Sequence, residues 1–452
     1  MGPEGARPFP GTILSEGIMQ MYDGGGPSDW GCVGGNVGGS VEGNVGARVV
    51  TLDSEGSVRT ELRAMRVSRA GIDIMAPKSV FRAVRLYGVP LRAALMIKQE
   101  MLAKGGEAAL PYAAAGLGEE RCDVLLTGTL RQFGRLTDTL RRQPFGLAEI
   151  AREIDAALAA FDGTPEPMCI GGRTFRFGER TYVMGVLNVT PDSFSDGGQH
   201  LCCDDALRHA EAMLEAGADI IDIGGESTRP GAAPVSDEEE CARVLPVVRL
   251  LADHSNAIMS IDTYKANVAR KCLDLGAHII NDITALGGDE DMASVASEYG
   301  APVVLMHMLG RPADMQANPT YEDVVHEVCE FLRQRVAYAR EHGVSVCNTI
   351  VDPGIGFGKT PQHNLEIMRR LRELRSLGRP ILAGTSRKST IGRVLGRPAH
   401  DRAWGTAATV ALAIASGADI VRVHDVAEMA MVARMTDAIT RGWRGEEDGN
   451  AG

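Results

Sequence analysis

The stretch EAGADIIDIGGES at residues 215–227 is one copy of a sequence pattern that recurs along this chain. This pattern decides the fold. The other copies are DLGAHIINDITA at 274–285, EYGAPVVLMHM at 298–308, EHGVSVCNTIVDPG at 341–354, SLGRPILAGTSR at 376–387 and ASGADIVRVHD at 415–425. In each copy a helical sequence ends at a glycine, which supplies the left-handed conformation that terminates helices. The short Ile-, Val- and Leu-rich run that follows is typical of a buried parallel strand.

Two further strand-like runs complete the pattern, namely YVMGVLNVT at 182–190 and AIMSIDT at 257–263, which makes eight strands. Helical sequences separate the strands, at 204–217, 237–254, 264–276, 321–343, 364–378, 406–417 and 426–440. Eight strand–helix units in one stretch predict a (β/α)8 TIM barrel over 168–443. A doubly wound open sheet is the alternative, but such a sheet does not normally continue for eight uninterrupted units.

The residues before the barrel predict a smaller α/β domain over 48–162, of unknown function. Helical spacing, strand-like runs and a glycine stop signal alternate there. The predicted elements are a helical 58–71, a short strand IDIM at 72–75, a helix at 90–106, a strand at 122–129 and helices at 130–143 and 146–161. The Pro-rich segment FDGTPEPM at 161–168 predicts the domain boundary, where we expect few contacts to cross.

Both ends of the chain are predicted to be disordered, over 1–47 and 444–452. Residues 24–46 contain ten glycines in twenty-three positions, a composition that cannot bury enough surface to offset its backbone entropy. A phosphate-binding glycine loop is the alternative, but such a loop lies between a strand and a helix, and neither flanks this segment.

The composition excludes several classes of protein. A hydrophobic fraction of 44% with 23% charged residues is ordinary for a globular protein in water,. Lys and Arg number 47 against 59 Asp and Glu, a net charge of −12, so the chain lacks the broad basic surface of a nucleic-acid binder. Any anion that it binds must therefore meet a local group of cations.

The chain is predicted to be cytoplasmic. It has no apolar run of about 18 residues and no signal-peptide pattern at its start. Its nine cysteines are an odd number and include no C-x-x-C pair, so zinc and disulfide frameworks are unsupported and a reducing compartment fits best.

The active site of a barrel lies at the C-terminal ends of its strands, so the polar residues that close each run are the candidates. They are Asn188, the GGESTRPG loop at 224–231, Asp262, Asn281, His307, Asp352, Ser386, Arg387, Lys388, Arg422 and His424. Asp262, Asn281 and Asp352 suit a flat heterocycle with several N–H groups. A polyanion such as pyrophosphate would suit the donors and cations, which are Asn188, Arg229, Lys388, Arg422 and His424.

Each of these residues, taken alone, could equally cap a helix or bind a neighbour, and we expect a structural role for His307. The segment GIGFGKT at 354–360 ends like a phosphate-binding Walker loop. That pattern, however, requires glycine at position 353, which is Pro353,. No Walker loop is therefore predicted.

The motifs at the strand ends resemble those of the dihydropteroate synthase family, in the family's order and over about 170–443. They are GVLNVTPDSFSDGG at 185–198, IDIGGESTRPG at 221–231, SIDT at 260–263, NDI at 281–283, LMHM at 305–308, VDPGIGFGKT at 351–360, TSRKS at 385–389 and RVHDV at 422–426. The N-terminal extension resembles a domain of some longer bacterial members of the family. This resemblance indicates no activity for the extension.

The resemblance implies a transferase that joins 6-hydroxymethyl-7,8-dihydropterin pyrophosphate to 4-aminobenzoate, giving 7,8-dihydropteroate for folate synthesis, and a target of sulfonamides. It implies a dissociative, SN1-like substitution in which pyrophosphate leaves first with Mg²⁺ as cofactor. The expected partners are these small molecules and a second copy of the chain in a homodimer, with no nucleic acid and no membrane.

The resemblance also assigns roles by motif position. Catalytic roles would fall to Asp196, Lys388 and Asp352. The pterin would contact Asp262, Asn281, Ile283, Met306, Asp352, Phe357 and Lys388. Pyrophosphate would contact Asn188, Arg422 and His424, with Mg²⁺ at Asn188. The aminobenzoate would contact Phe194, Thr228, Arg229, Pro230 and Ser389.

Two other functions stay open at this point. A corrinoid-dependent methyltetrahydrofolate methyltransferase would share the Asp and Asn contacts to a pterin but would need no pyrophosphate donors. A pterin-binding protein without turnover would keep the same polar positions. The TSRKS and TPDSFSDGG segments favour the synthase over the methyltransferase.

Overall fold

The computed structural model describes residues 46–116, 120–189, 199–227, 235–310 and 314–443. Residues 46–51 have no regular secondary structure, and the described residues from Leu52 onward form one compact unit. The disorder predicted for 1–47 and 444–452 concerns segments that lie outside the described residues, apart from 46 and 47.

The N-terminal part of this unit is an α/β arrangement. Its elements are α1 (Glu55–Ala64), α2 (Arg69–Ser79), β1 (Phe81–Pro90), α3 (Leu91–Ala103), β2 (Glu107–Ala109), β3 (Arg121–Thr129), α4 (Leu130–Leu140) and α5 (Leu147–Asp162). The strands form an antiparallel sheet in the order β1-β3-β2. Alternate residues of β3, such as Val124 and Leu126, are buried in a core with α3, α4 and α5.

Two predicted elements differ from the structure. The helix expected over 58–71 is interrupted at 65–68, between α1 and α2. The run IDIM at 72–75 was expected to be a strand, but it lies inside α2. Ser68 caps this helix by accepting a hydrogen bond from the Gly71 amide, and Ile72 and Ala76 are buried four residues apart, on one helical face,. A four-residue apolar run fits either a strand or a helix face, and the helix cap decides here.

The barrel follows a short hairpin of β4 (Met168–Ile170) and β5 (Arg173–Phe175). Its strands are β6 (Tyr182–Asn188), β7 (Ile220–Gly224), β8 (Ile258–Asp262), β9 (Ile279–Asp282), β10 (Val303–Met306), β11 (Thr349–Asp352), β12 (Leu382–Ala383) and β13 (Ile420–Val423). They pair in parallel in the order β11-β10-β9-β8-β7-β6-β13-β12. A parallel bridge between Val351 and Ile381 joins the two ends, so the predicted barrel is confirmed.

Helices surround the strands, as the sequence predicted. They are α6 (Gln199–Glu215), α7 (Asp237–His254), α8 (Ala266–Asp274), α9 (Met292–Tyr299), α10 (Val324–Glu341), α11 (Pro361–Arg370), α12 (Ser389–Leu395), α13 (Ala403–Ala415) and α14 (Val426–Thr440). The large core between helices and strands holds mainly Val, Ile, Leu and Ala side chains. None of the described helices is long and apolar enough to cross a membrane.

The lower interior of the barrel is a layer of apolar side chains, one from each strand. The layer consists of Met184, Ile220, Ile258, Ile279, Val304, Ile350, Leu382 and Ile420. Met168, Ile170 and Phe175 of the hairpin pack against it in the same buried cluster. The hairpin therefore closes the end of the barrel at which the strands begin, and functional groups must lie at the other end.

Contacts cross the predicted boundary at 161–168, contrary to the expectation for that segment. The Arg375 guanidinium donates a hydrogen bond to the Phe161 carbonyl at 3.4 Å and another to that of Gly163. The ring of Tyr87 on β1 stacks on that of His326 on α10, with centroids 3.5 Å apart. The N-terminal part therefore packs on the side of the barrel.

Candidate active site

A second layer of interior side chains lies two residues beyond the apolar layer on each strand. Because strand side chains alternate between two faces, a step of two keeps the same inward direction. The second layer consists of Val186, Asp222, Ser260, Asn281, Met306, Asp352, Gly384 and Arg422. A polar floor thus stands on an apolar base, at the end where sequence patterns placed the site.

Five residues of this layer and six residues above it line one cavity. Its walls are Asp262, Asn281, Ile283, Met306, Asp352, Gly354, Ile355, Phe357, Gly384, Lys388 and Arg422. All seven residues predicted to contact the pterin are among them. The structure therefore brings together the set that sequence reasoning had collected from five separate motifs.

Arg422 crosses the barrel interior and binds two carboxylates. Its Nε donates to Asp222 Oδ2 at 2.6 Å and its Nη2 donates to Asp262 Oδ2 at 2.7 Å. Burial acts to lower the pKa of Arg422, but the two carboxylates outweigh it and the pKa is raised. Burial raises the pKa of Asp262 to about 7, against the pull of Arg422.

Asp222 is a site residue that the sequence analysis missed. It is fully buried, and besides Arg422 it accepts a hydrogen bond from Asn281 Nδ2 at 3.1 Å. It therefore orients one cation and one amide of the cavity at once. A signal was present in the sequence, because Asp222 stands two residues after Ile220 inside an apolar strand, where an unpaired carboxylate would be costly.

Asp352 ends β11 and lies deep in the cavity. Its Oδ1 accepts a hydrogen bond from the Gly354 amide at 2.7 Å, which leaves Oδ2 for a ligand. Burial raises the pKa of Asp352 above its ordinary value. The carboxylate is thus held in place before anything binds.

Lys388, at the beginning of α12, supplies the cation opposite Asp352. Its Nζ lies 4.2 Å from the centroid of the Phe357 ring, a cation–π contact. Burial, and then the charge of Arg422, lower the pKa of Lys388 to about 8. An ammonium that is poorly solvated in this way gains strongly from any acceptor that a ligand offers.

The loop after β11 can take its shape only with glycine at particular positions. Gly354 and Gly358 have φ angles of 65° and 58°, in the left-handed region that side chains disfavour. A Cβ at Gly354 would collide with the His307 carbonyl oxygen, and one at Gly358 with the backbone of Leu309. This close packing brings the loops after β10 and β11 together beside the cavity.

Asn188 and His424 stand at the upper ends of β6 and β13. Imidazole Nδ1 of His424 lies 3.0 Å from Ser386 Oγ, and burial, followed by the charge of Arg422, lowers the pKa of His424 to about 4. A Cβ at Gly224 would lie 3.8 Å from Asn188 Oδ1 and from Asp262 Oδ2. The glycine therefore leaves open the space between Asn188 and Asp262.

Several predicted residues lie elsewhere. Ser389 is exposed at the beginning of α12, and Arg387 forms an ion pair with Asp425. His307 is buried, and its imidazole Nδ1 lies 2.9 Å from Lys359 Nζ, which fits the structural role expected for it. Outside the described residues lie Phe194, Asp196, Thr228, Arg229 and Pro230.

The cavity combines three kinds of group. Acceptors cluster on Asp352 and Asn281, where N–H groups of a flat ring would find partners. Met306 and Phe357 provide apolar surface for the faces of such a ring. Lys388 and Arg422 supply positive charge to the same cavity, where an anionic leaving group would be stabilised.

Comparison with known proteins finds relatives of this chain. Residues 184–424 match the family model described as pterin binding enzyme. A dihydropteroate synthase from Synechocystis is 47% identical over 281 residues, which are 62% of this chain and 97% of the relative. A crystal structure of a Clostridium difficile dihydropteroate synthase in the presence of pteroic acid is 49% identical. It has a TM-score of 0.56 and covers 59% of this chain and 98% of its own.

A longer relative also aligns with residues before the barrel. A probable bifunctional folylpolyglutamate synthase/dihydropteroate synthase from Haloferax volcanii is 44% identical over 379 residues, 82% of this chain. The chain spans only 44% of that relative's length. An alignment of this length exceeds the barrel, so the relative shares part of the N-terminal region. On the family match and the nearly full-length alignment with the Synechocystis enzyme, the chain belongs to the dihydropteroate synthases of the pterin-binding enzyme family.

Proposed function

We propose that this chain condenses 6-hydroxymethyl-7,8-dihydropterin pyrophosphate with 4-aminobenzoate, and that the cavity described above holds the pterin. The observation that carries the proposal is the union, in one cavity, of buried acceptors with two partly buried cations. Asp352 and Asn281 supply acceptors, and Lys388 and Arg422 supply positive charge. A site for a neutral ring alone would have no use for the two cations.

The pterin edge is proposed to bind at the floor of the cavity. Asp352 Oδ2 would accept from the aminopyrimidine N–H groups, because Oδ1 is already held by Gly354. Lys388 would donate to the carbonyl side of the ring. Asp262 and Asn281 complete the polar edge, while Ile283, Met306 and Phe357 pack against the faces of the ring.

The leaving pyrophosphate is proposed to meet Arg422, His424 and Asn188. Among the described residues, the two carboxylates accept from Arg422 Nε and Nη2, so Nη1 is proposed for this contact. Binding of a polyanion would raise the depressed pKa of His424 and favour its charged form. Departure of pyrophosphate leaves a methylene cation that the pterin ring delocalises, and Asp196 is proposed, from its motif alone, to stabilise it.

Magnesium is proposed to bind together with pyrophosphate. The described residues contain no group of three His, Cys, Asp or Glu side chains able to hold a metal by themselves. Mg²⁺, however, commonly binds through one or two protein oxygens plus substrate phosphates and waters, and the amide oxygen of Asn188 fits that role. When bound, the ion would neutralise charge on the leaving group.

The aminobenzoate is proposed to attack from the open end of the cavity. Its nitrogen is largely neutral at pH 7 and therefore needs no strong base. The assigned residues are Phe194, Thr228, Arg229, Pro230 and Ser389, and they rest on motif position only. The same end is proposed to receive sulfonamides.

A second copy of the chain is the proposed protein partner. Large apolar side chains are exposed on the adjacent helices α13 and α14, namely Trp404, Leu412, Met431, Met435 and Ile439. The three on α14 recur every four residues and so share one face. An apolar face of this kind marks an interaction surface, and a twofold dimer would bury it on both copies.

The proposed location is the cytoplasm, because an odd number of cysteines without a C-x-x-C pair fits a reducing compartment best,.

The test is direct. Purified protein is mixed with the pterin pyrophosphate, 4-aminobenzoate and Mg²⁺, and dihydropteroate formation is followed by chromatography. Omission of either substrate is the control. Pterin binding without product would favour a binding protein, and methyl transfer from methyltetrahydrofolate to a corrinoid protein would favour the methyltransferase.

A further inference from the structure

Lys359 is a buried lysine for which the reaction described above has no use. It is the lysine of the Walker-like GIGFGKT sequence, and its exposed fraction is 2%. Its Nζ forms no salt bridge with a described carboxylate. The nitrogen lies instead within hydrogen-bonding distance of four neutral acceptors, which are imidazole Nδ1 of His307 (2.9 Å) and the carbonyls of Gly354 (3.0 Å), Phe357 (3.0 Å) and His307 (3.2 Å).

These four acceptors belong to two loops. His307 follows β10, and Gly354 and Phe357 belong to the loop after β11. An ammonium has three donors, so one nitrogen can serve several of these acceptors at once, although the Gly354 carbonyl also accepts from the Phe357 amide at 3.1 Å. Lys359 therefore ties the two loops to each other from the side away from solvent.

Both loops carry groups of the cavity. Gly354 offers its carbonyl to Lys359 and its amide to Asp352 Oδ1. Phe357 offers its carbonyl to Lys359, while its ring faces Lys388. One ammonium thus fixes the backbone from which a carboxylate and an aromatic ring of the cavity are presented.

We propose that Lys359 is a positioning residue for pterin binding, whose buried ammonium holds the loop of residues 354–357 so that Asp352 and Phe357 are in place before the ligand arrives. This inference rests on the proposed function, because it assumes that the cavity binds a pterin. A site that is organised in advance loses less freedom on binding. We therefore expect loss of this role to weaken the binding of the pterin.

The electrostatics of the position add a dependence on pH. Burial lowers the pKa of Lys359 to about 7, with Lys388 lowering it further and Asp352 opposing. Among the described residues, the titratable groups near it also include His307, whose pKa burial lowers to about 2, and Tyr321, whose hydroxyl donates to the neighbouring Gly358 carbonyl at 2.7 Å. Loss of a proton leaves two donors for four acceptors, so the loop is held less firmly as pH rises through 7.

The experiment compares Lys359→Met and Lys359→Gln with the unmodified chain. Affinity for 6-hydroxymethylpterin is measured by calorimetry at pH 6.0, 7.0 and 7.8, and KM is measured for both substrates. We expect Lys359→Met to weaken pterin binding at least tenfold at pH 6.0 and to change the KM for 4-aminobenzoate less than twofold. Lys359→Gln keeps two donors whose number does not change with pH, so its affinity should be intermediate and should change less between pH 6.0 and 7.8 than that of the unmodified chain.

Leu251→Ala is the control for lost stability, because Leu251 is fully buried on α7 and touches neither loop. It should lower the melting temperature and leave pterin affinity unchanged. Pterin affinity of either lysine variant within twofold of the unmodified chain at pH 6.0 would overturn the inference. So would an equal rise in both KM values. If the unmodified chain bound no pterin, the proposed function itself would be refuted.

Discussion

Replacing Asp352 with asparagine should separate ligand affinity from stability. The substitution keeps the shape of the side chain and an oxygen that can accept from the Gly354 amide. Its nitrogen, however, would replace Oδ2 and point donors at the N–H groups of the pterin. The loss is that of charge-assisted hydrogen bonds in a buried site, roughly 1.5–3 kcal/mol.

This free energy corresponds to pterin binding weakened about 10- to 150-fold, since every 1.4 kcal/mol is tenfold. The stability of the unliganded chain should change in the opposite direction. Burial raises the pKa of Asp352, so the charged carboxylate disfavours the folded state at pH 7, and this penalty falls as pH falls through the raised pKa. The asparagine variant removes the penalty, so its melting temperature should be equal or higher.

Calorimetric titration with 6-hydroxymethylpterin and a thermal melt at pH 7 measure the two effects. Asp419→Asn is the matched control, because Asp419 is also fully buried but precedes β13, at the end of the barrel closed by the hairpin. Its Oδ2 accepts from the Ile381 amide at 3.1 Å. Pterin affinity that stayed within twofold in Asp352→Asn, or fell equally in Asp419→Asn, would refute the reasoning.

Three further predictions concern other parts of the molecule. The kcat/KM for the pterin substrate should fall as pH rises above about 8, because Lys388 loses its charge there, and Lys388→Gln should lack this fall in rate measurements. Asp222→Asn should raise the inhibition constant of pyrophosphate about tenfold, since the Arg422 guanidinium loses the carboxylate that fixes its orientation,; an unchanged or lower constant contradicts this. Residues 168–452 alone should catalyse the condensation but melt at a lower temperature than the full chain, because the stacking of Tyr87 on His326 is lost. A folded but inactive truncation would show that the N-terminal region contributes to the site.

The barrel could be predicted because each unit carries its own local signals. A glycine such as Gly217 or Gly417 ends a helix with a positive φ, and an apolar run follows at once. Those signals depend only on neighbours in sequence. The hairpin of β4 and β5 carries no such signal, since three-residue strands are too short to show periodicity.

The site could be predicted where a polar residue ends an apolar run, as Asp352 and Arg422 do. The sequence analysis missed Asp222 because this residue lies within the apolar run of β7. Its role also depends on partners from β9 and β13 that only the closed barrel brings near. Lys359 escaped for a related reason. Its sequence context resembles a phosphate loop, whereas three of its four acceptors are backbone carbonyls, which no sequence pattern marks.

The apolar layer beneath the polar one also shapes how this chain can change through evolution. Along β7, Ile220 and Asp222 differ by one step of the same inward face, yet the first supports folding and the second supports chemistry. Substitutions in the apolar layer should therefore be tolerated whenever size and apolar character are kept. Substitutions two residues further along the strand should be rejected even when the change in the side chain is small. A complete survey of single substitutions, scored for growth without added folate, would then show on each strand a tolerant position in the apolar layer and an intolerant position two residues later. The boundary between these two layers would trace the floor of the cavity around the whole barrel.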